Sequence, residues 1–171
     1  MARLRWFDRR FDFSFPSELY PELIERMRGM PMRLVERVSL FDPDVRRRRP
    51  SEGWSVQEHA GHLADLDRIL FHPRVTAYER GESTLLAADL TNSTTEAANH
   101  NARSMESVLA DVLRERAAFV EHLESLDPAL FARTALHPRL AVPMRLVDLM
   151  LFVAEHDDHH LASITELAKK R

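Results

Sequence analysis

Cysteine is missing from this 171-residue chain. That absence excludes disulfides, thiolate metal sites and cysteine nucleophiles, so any metal must be held by histidine, carboxylate and water. Glycine is scarce, with four residues, and runs of β-branched alternation are rare, which favours helices over sheet. There is no glycine-rich phosphate loop and no serine in a nucleophile-elbow context. The longest apolar run, Leu149 to Ala154, is too short to span a bilayer. The amino-terminal MARLRWFDRRFDF lacks the apolar core of a signal peptide. Charge of one sign is not in excess either: 27 acids face 24 bases, for a net −3. No helix carries a basic stripe, so neither nucleic acid nor membrane is expected as a partner. With 44% apolar residues to build a core, the expectation is one cytoplasmic domain over residues 1–171.

What is present reads as helix. Tyr20, Leu23, Ile24 and Met27, then Leu34 and Val38, recur at helical spacing, with a break or kink expected at Pro31. WSVQE places Ser55 at an N-cap and Glu58 three residues later, a capping box, with Trp54 packing as a staple near His59. That second helix runs through HAGHLADLDRILFH toward Pro73 or slightly beyond, and YERGES ends it. The polar stretch from Leu86 to Asn101 is either loop or an early helical turn. The third helix puts Met105, Val108, Val112, Phe119, Leu123 and Leu126 on one face. A connection with three prolines follows, and the fourth helix is expected to start near Pro143 and to run to the cations at Lys169 and Lys170. Four long amphipathic helices imply an all-α, four-helix bundle.

The fourth helix has an anomaly. Stepping by three and four gives Leu146, Leu149, Val153, His156, His160, Ile164 and Leu167, an apolar stripe broken only by two histidines. Side chains at i and i+4 are neighbours, about 5–6 Å apart at Cβ, so both rings can offer a nitrogen to one ion. His159 falls about 100° round the helix, on the rim. A third ligand must come from another helix, and the second helix offers His62 or His59; spacing does not choose between them. Two imidazoles buried without a partner would be costly.

Other polar residues are less telling. Asp65 and Asp67 either orient a ligand histidine or are solvated. At least one of Asp157 and Asp158 should face solvent. Glu115 and Arg116 interrupt the inner region of the third helix, as a buried polar pair, a substrate contact or, most simply, exposed residues, and the Arg46–Arg49 run reads as a solvated loop. His72, His100, His122 and His137 lack a partner at ligand spacing and read as structural. Asp157 or His159 could approach the rim of the site as a general base.

WSVQEHAGHLADLD, followed some ninety residues later by AEHDDHHLASI, resembles the DinB-like, or YfiT-like, family. The resemblance extends over most of the chain, including RMRGMPMRLVERVSL and MESVLADVLRERAAFVEHLESL. It implies an up-down-down-up four-helix bundle, commonly a homodimer. It also implies a divalent metal, zinc or nickel, on three histidines, with water in the remaining positions. Residue by residue the family pattern selects His62, His156 and His160 over His59 and His159. The activity it implies is that of a metal-dependent hydrolase, or of a transferase or isomerase using a low-molecular-weight thiol, acting on a small molecule. The alternative is a metal-binding, stress-linked protein without catalysis.

Overall fold

The computed structural model describes residues 4–169; Lys170, placed above in the last helical turn, lies outside them. The first long helix is two, α1 (Tyr20–Arg28) and α2 (Met30–Ser39), meeting at Gly29. Pro31 sits in the first turn of α2, where a missing N–H costs nothing. A short α3 (Pro43–Arg46) precedes α4 (Val56–Leu66). The capping box forms as read: the Ser55 hydroxyl accepts from the Glu58 amide, and the Glu58 carboxylate accepts from the Ser55 amide.

After α4 the chain widens into a π-turn, Asp67–Phe71, and continues as α5 (His72–Arg80). Pro73 lies just beyond. It has no N–H to donate, and its ring crowds the carbonyl four residues back, so the tighter α ladder cannot pass through unchanged. Gly81, at φ 70°, ends the helix in the left-handed region that glycine enters without a Cβ penalty. The ambiguous polar stretch holds a short helix, α6 (Ser93–Ala98). Then come α7 (Met105–Ser125) and, after a β-hairpin, α8 (Leu146–Lys169).

The hairpin corrects the expected start of the last helix. Thr134–His137 (β1) pairs antiparallel with Val142–Arg145 (β2), so Pro143 lies in a strand and α8 starts at Leu146. Pro143 faces Leu136, whose N–H and C=O bond instead to Ser83 and Leu85 on the far side. The missing proline N–H therefore breaks no ladder bond.

Two apolar clusters fix the order of the bundle. One end joins Leu23 and Met27 of α1, Phe71 and Tyr78, Phe119 and Leu123 of α7, and Leu149 and Val153 of α8. The other joins Leu34 and Val38 of α2, Ala60 and Leu63 of α4, Val108 and Val112 of α7, and Ile164 of α8. The first helix thus runs one way, the second and third run back, and the fourth returns: up-down-down-up. No helix among the described residues is long and apolar enough to cross a membrane.

Between the clusters lies a charged centre around Arg116, for which the simplest sequence expectation is an exposed side chain. Arg116 is buried, and its guanidinium donates to both Asp67 and Asp157, which are buried too. Burial opposes the charge on Arg116, and the two carboxylates more than offset it, so its pKa stands above the ordinary value. Burial pushes both carboxylates up, against the pull of the guanidinium. Glu115, half-buried, pairs with Arg114 instead. Asp158 is the acid of its pair that reaches the surface, where it meets Arg26 and Arg33. Removing one member of a buried ionic group costs about 3–5 kcal/mol, because the partners stay buried and uncompensated. Arg116→Met is expected to lower stability by about that amount in urea unfolding; a loss within the range of a surface substitution would contradict the assignment.

Candidate metal centre

The convergence of α4 and α8 places the three expected histidines together. One ligand nitrogen from each of His62, His156 and His160 lies within 4.8 Å of the others, and all three residues are buried. The Nε2 atoms of His156 and His160 face each other at 3.1 Å. Two nitrogens on one ion, at roughly 2.0–2.1 Å and a tetrahedral angle, would stand about 3.3 Å apart. The pair is therefore close to a ligand spacing, and the set is all-nitrogen, which suits zinc or nickel.

Two of the three rings are held from behind, while His156 Nδ1 is buried with no hydrogen-bond partner among the described residues. His62 Nδ1 lies 2.9 Å from the Thr95 hydroxyl, which donates to Asp65 at 3.4 Å. If the hydroxyl gives its proton to Asp65, it accepts from Nδ1–H, and the lone pair of His62 is on Nε2. Asp65 is also bonded by His100 Nε2 at 2.8 Å. Gly61 makes this possible: a Cβ there would come within 2.3 Å of the His100 ring. His160 Nδ1 meets His59 Nδ1 at 2.8 Å. Donation from His160 to His59 leaves the His160 lone pair on Nε2, toward His156. A ligand histidine is commonly oriented through its other nitrogen in this way. Trp54 packs over the same group, with its ring 4.5 Å from that of His62 and 5.6 Å from that of His59.

Burial makes these imidazoles neutral. It pulls His62 down to about 3 and His156 and His160 well below the usual value, and the neighbouring histidines add to the effect. A neutral ring is the form that binds a metal.

The three rings open onto a cavity of about 420 Å³, a size typical of small-molecule sites. Trp6, Phe71 and Phe152 give it apolar walls, and His159 stands on its border. Several sequence expectations change here. His59 is not in the converging set; it buttresses His160. His159 packs on Trp6 and His160, as a rim residue should. Asp157 does not reach the rim, because Arg116 binds it in the interior. Asp65 has the orienting role, through Thr95. His100 supports Asp65, and His137 lines the cavity; both had read as structural. His72 stacks on His122, which bonds Glu79. In the arginine run, Arg47, Arg48 and Arg49 are exposed as expected, and Arg49 pairs with Glu58 and Glu96. Thr95 lay in the stretch that periodicity left open. Arg74 was overlooked, although it carried the same signal as the histidines: it falls on the Phe71–Tyr78 stripe and is buried beside the cavity. Arg139, in the hairpin turn, carried none.

Comparison with known proteins accords with this architecture. No curated protein sequence matches the chain. Among solved structures, it is similar to YfiT from Bacillus subtilis, described as a probable metal-dependent hydrolase with an unusual four-helix bundle topology. The TM-score is 0.76 at 21% identity, over 95% of this chain and 93% of that one. It is also similar to a mycothiol-dependent maleylpyruvate isomerase, with TM-score 0.69 at 14% identity, over 88% of this chain and 61% of the isomerase. At these identities the likeness is one of fold. The DinB superfamily model matches residues 24–164, and with that span, which takes in all three converging histidines, the chain belongs to the DinB superfamily.

Proposed function

We propose that this protein holds a divalent metal ion, zinc or nickel, on His62, His156 and His160, and acts on a small molecule as a metal-dependent hydrolase or thiol-dependent S-transferase. The observation that carries the reading is three buried, neutral imidazoles converging on the wall of an open cavity. A bound ion would supply Lewis-acid chemistry, lowering the pKa of a water or a low-molecular-weight thiol toward neutrality. The chain's own residues do the rest. Thr95 and Asp65 orient His62, His59 orients His160, and the aromatic walls exclude bulk water from the reacting end. His159, on the cavity border against the His160 ring, is a titratable side chain that could move a proton. The rival reading, a metal binder without catalysis, predicts a closed site, and the cavity beside the rings favours the enzyme.

Metal titration of single variants tests the ligand set. His62→Ala, His156→Ala and His160→Ala are each expected to abolish high-affinity nickel or zinc binding in isothermal titration of untagged protein. His59→Ala and Thr95→Val should weaken it roughly 10–100-fold, as loss of an orienting partner does. His159→Ala should leave it nearly unchanged. Strong binding that survives His156→Ala would place the metal elsewhere.

The buried rings also set a pH dependence. Three ligand histidines at the ordinary value near 6.5 would release up to about three protons on loading at acid pH. With the rings already neutral in the fold, loading the folded protein at about pH 5 should release almost none. The protons appear instead in stability. Between about 6.5 and the depressed folded values the unfolded chain binds more protons than the native one, so metal-free stability falls as pH drops through that window. Asp67 and Asp157, raised by burial, act in the opposite direction. The difference between wild type and His62→Gln therefore isolates the imidazole part: the urea midpoint of the variant should fall less between pH 7 and pH 5. Equal slopes would contradict burial as the cause.

A two-fold homodimer is part of the same proposal. Light scattering at micromolar concentration should give twice the chain mass; a monomer mass would remove it.

A further inference from the structure

Arg74 is the cation in this molecule that is hardest to account for. Its side chain is 1% exposed and it borders the cavity, yet no carboxylate among the described residues forms an ion pair with it. Its Nε and Nη2 donate to the Leu86 carbonyl, and its Nη1 approaches His137 Nε2 at 3.2 Å. That last contact is contested. His137 is held neutral, down at about 4, by burial and by two nearby arginines, and a neutral imidazole has one acceptor nitrogen. The Leu140 amide already donates to its Nδ1 at 3.2 Å. One neutral ring thus faces two donors and can satisfy one.

Arg139 is the second arginine. It comes from the turn between β1 and β2, lies over the rings of Phe7 and Phe152, and borders the same cavity. Its Nη2 is buried with no hydrogen-bond partner. Burial lowers the pKa of both guanidiniums, and no carboxylate is among the groups that offset it. Each of the two also acts on His137, so they stand around one ring at one part of the cavity. A desolvated guanidinium beside a partly desolvated one, with no counter-ion for either, would be costly if the cavity held nothing anionic. The other buried arginine, Arg116, has two carboxylates.

We propose that Arg74 and Arg139 form an anion subsite that takes the carboxylate of an aromatic or otherwise apolar acid, whose body lies along the aromatic walls toward His62, His156 and His160. A planar guanidinium fork takes the two oxygens of a carboxylate through parallel N–H···O bonds, and the aromatic walls beside it suit an apolar body. This deepens the functional reading above, because the cavity is taken to be the substrate's, and it names the substrate class: small organic acids.

Both tryptophans of the chain, Trp6 and Trp54, line the cavity, so intrinsic fluorescence reports its occupancy. Sodium benzoate and its uncharged analogue benzamide are titrated into metal-free protein and into nickel-loaded protein. Benzoate is expected to give a saturable response, with benzamide at least tenfold weaker. Arg139→Gln should weaken benzoate at least tenfold, as loss of a charge-assisted contact does. Arg74→Gln should do the same if it folds. Arg139 is half-exposed and held by ring contacts, so its variant decides the matter alone if Arg74→Gln does not fold. A benzoate response that Arg139→Gln weakens in either form of the protein supports the subsite. No response, an equal response to benzamide, or a response that Arg139→Gln leaves unchanged overturns it. The metal reading is judged apart, by nickel titration of His156→Ala, so the two can fail independently.

Discussion

One guanidinium keeps the two halves of the candidate site in register. Arg116 of α7 reaches across the core to Asp67, in the π-turn that follows His62, and to Asp157, the residue after His156. The helices that carry the converging imidazoles are thereby tied to a third helix at the level of the site. Apolar packing alone is tolerant of small slips. A buried, two-sided ion pair is not, because any shift leaves a charge without its partner in a low-dielectric interior. The salt bridge need not add net stability to serve as this register device.

Around that fixed point the polar groups are arranged in layers. The Nδ1 atoms of His62 and His160 are backed by Thr95 and His59, Thr95 by Asp65, and Asp65 in turn by His100. The supporting side chains come from α4, from α6 and from the turn after it, so the long connection between the second and third helices does more than return the chain. It carries Thr95 and His100 against α4, with Gly61 giving the His100 ring room. On the far side the β-hairpin brings His137 and Arg139 to the cavity. The bundle supplies the wall that carries the converging histidines, and the two irregular connections supply its backing and a further part of the cavity lining.

The charges on these two parts of the lining differ in kind. The histidines are neutral because burial strips their protons. An arginine cannot give up its proton so easily and stays cationic where it is buried. The cavity therefore presents neutral nitrogen donors on one side and uncompensated positive charge on the other. That polarity is what a site would need if it were to hold a metal at one end and orient an anionic molecule at the other.

Much of this was readable from residue order. The helical stripes, the Ser55 capping box, and His156 and His160 interrupting an apolar face all follow from 3.6-residue periodicity, which is local. The family resemblance then selected His62, and the structure brings that ring and not His59 into the converging set. What periodicity could not supply were positions whose role depends on distant segments. Asp67 falls one turn after the buried Leu63, on an inward face, but the cation that makes a carboxylate tolerable there comes from α7. Arg116 looked exposed because nothing near it in sequence reveals that Asp67 and Asp157 wait across the core. The hairpin was hidden by Pro138 and Pro143, which read as coil until Ser83 and Leu85 are seen to take the hydrogen bonds of Leu136. The sequence by itself determined which side chains could bind a metal and which faces would be buried, because both follow from chemistry and helix geometry. Only the tertiary structure decided which polar groups meet, because hydrogen bonds and ion pairs form over about 3 Å between residues that lie as many as 146 positions apart in the chain.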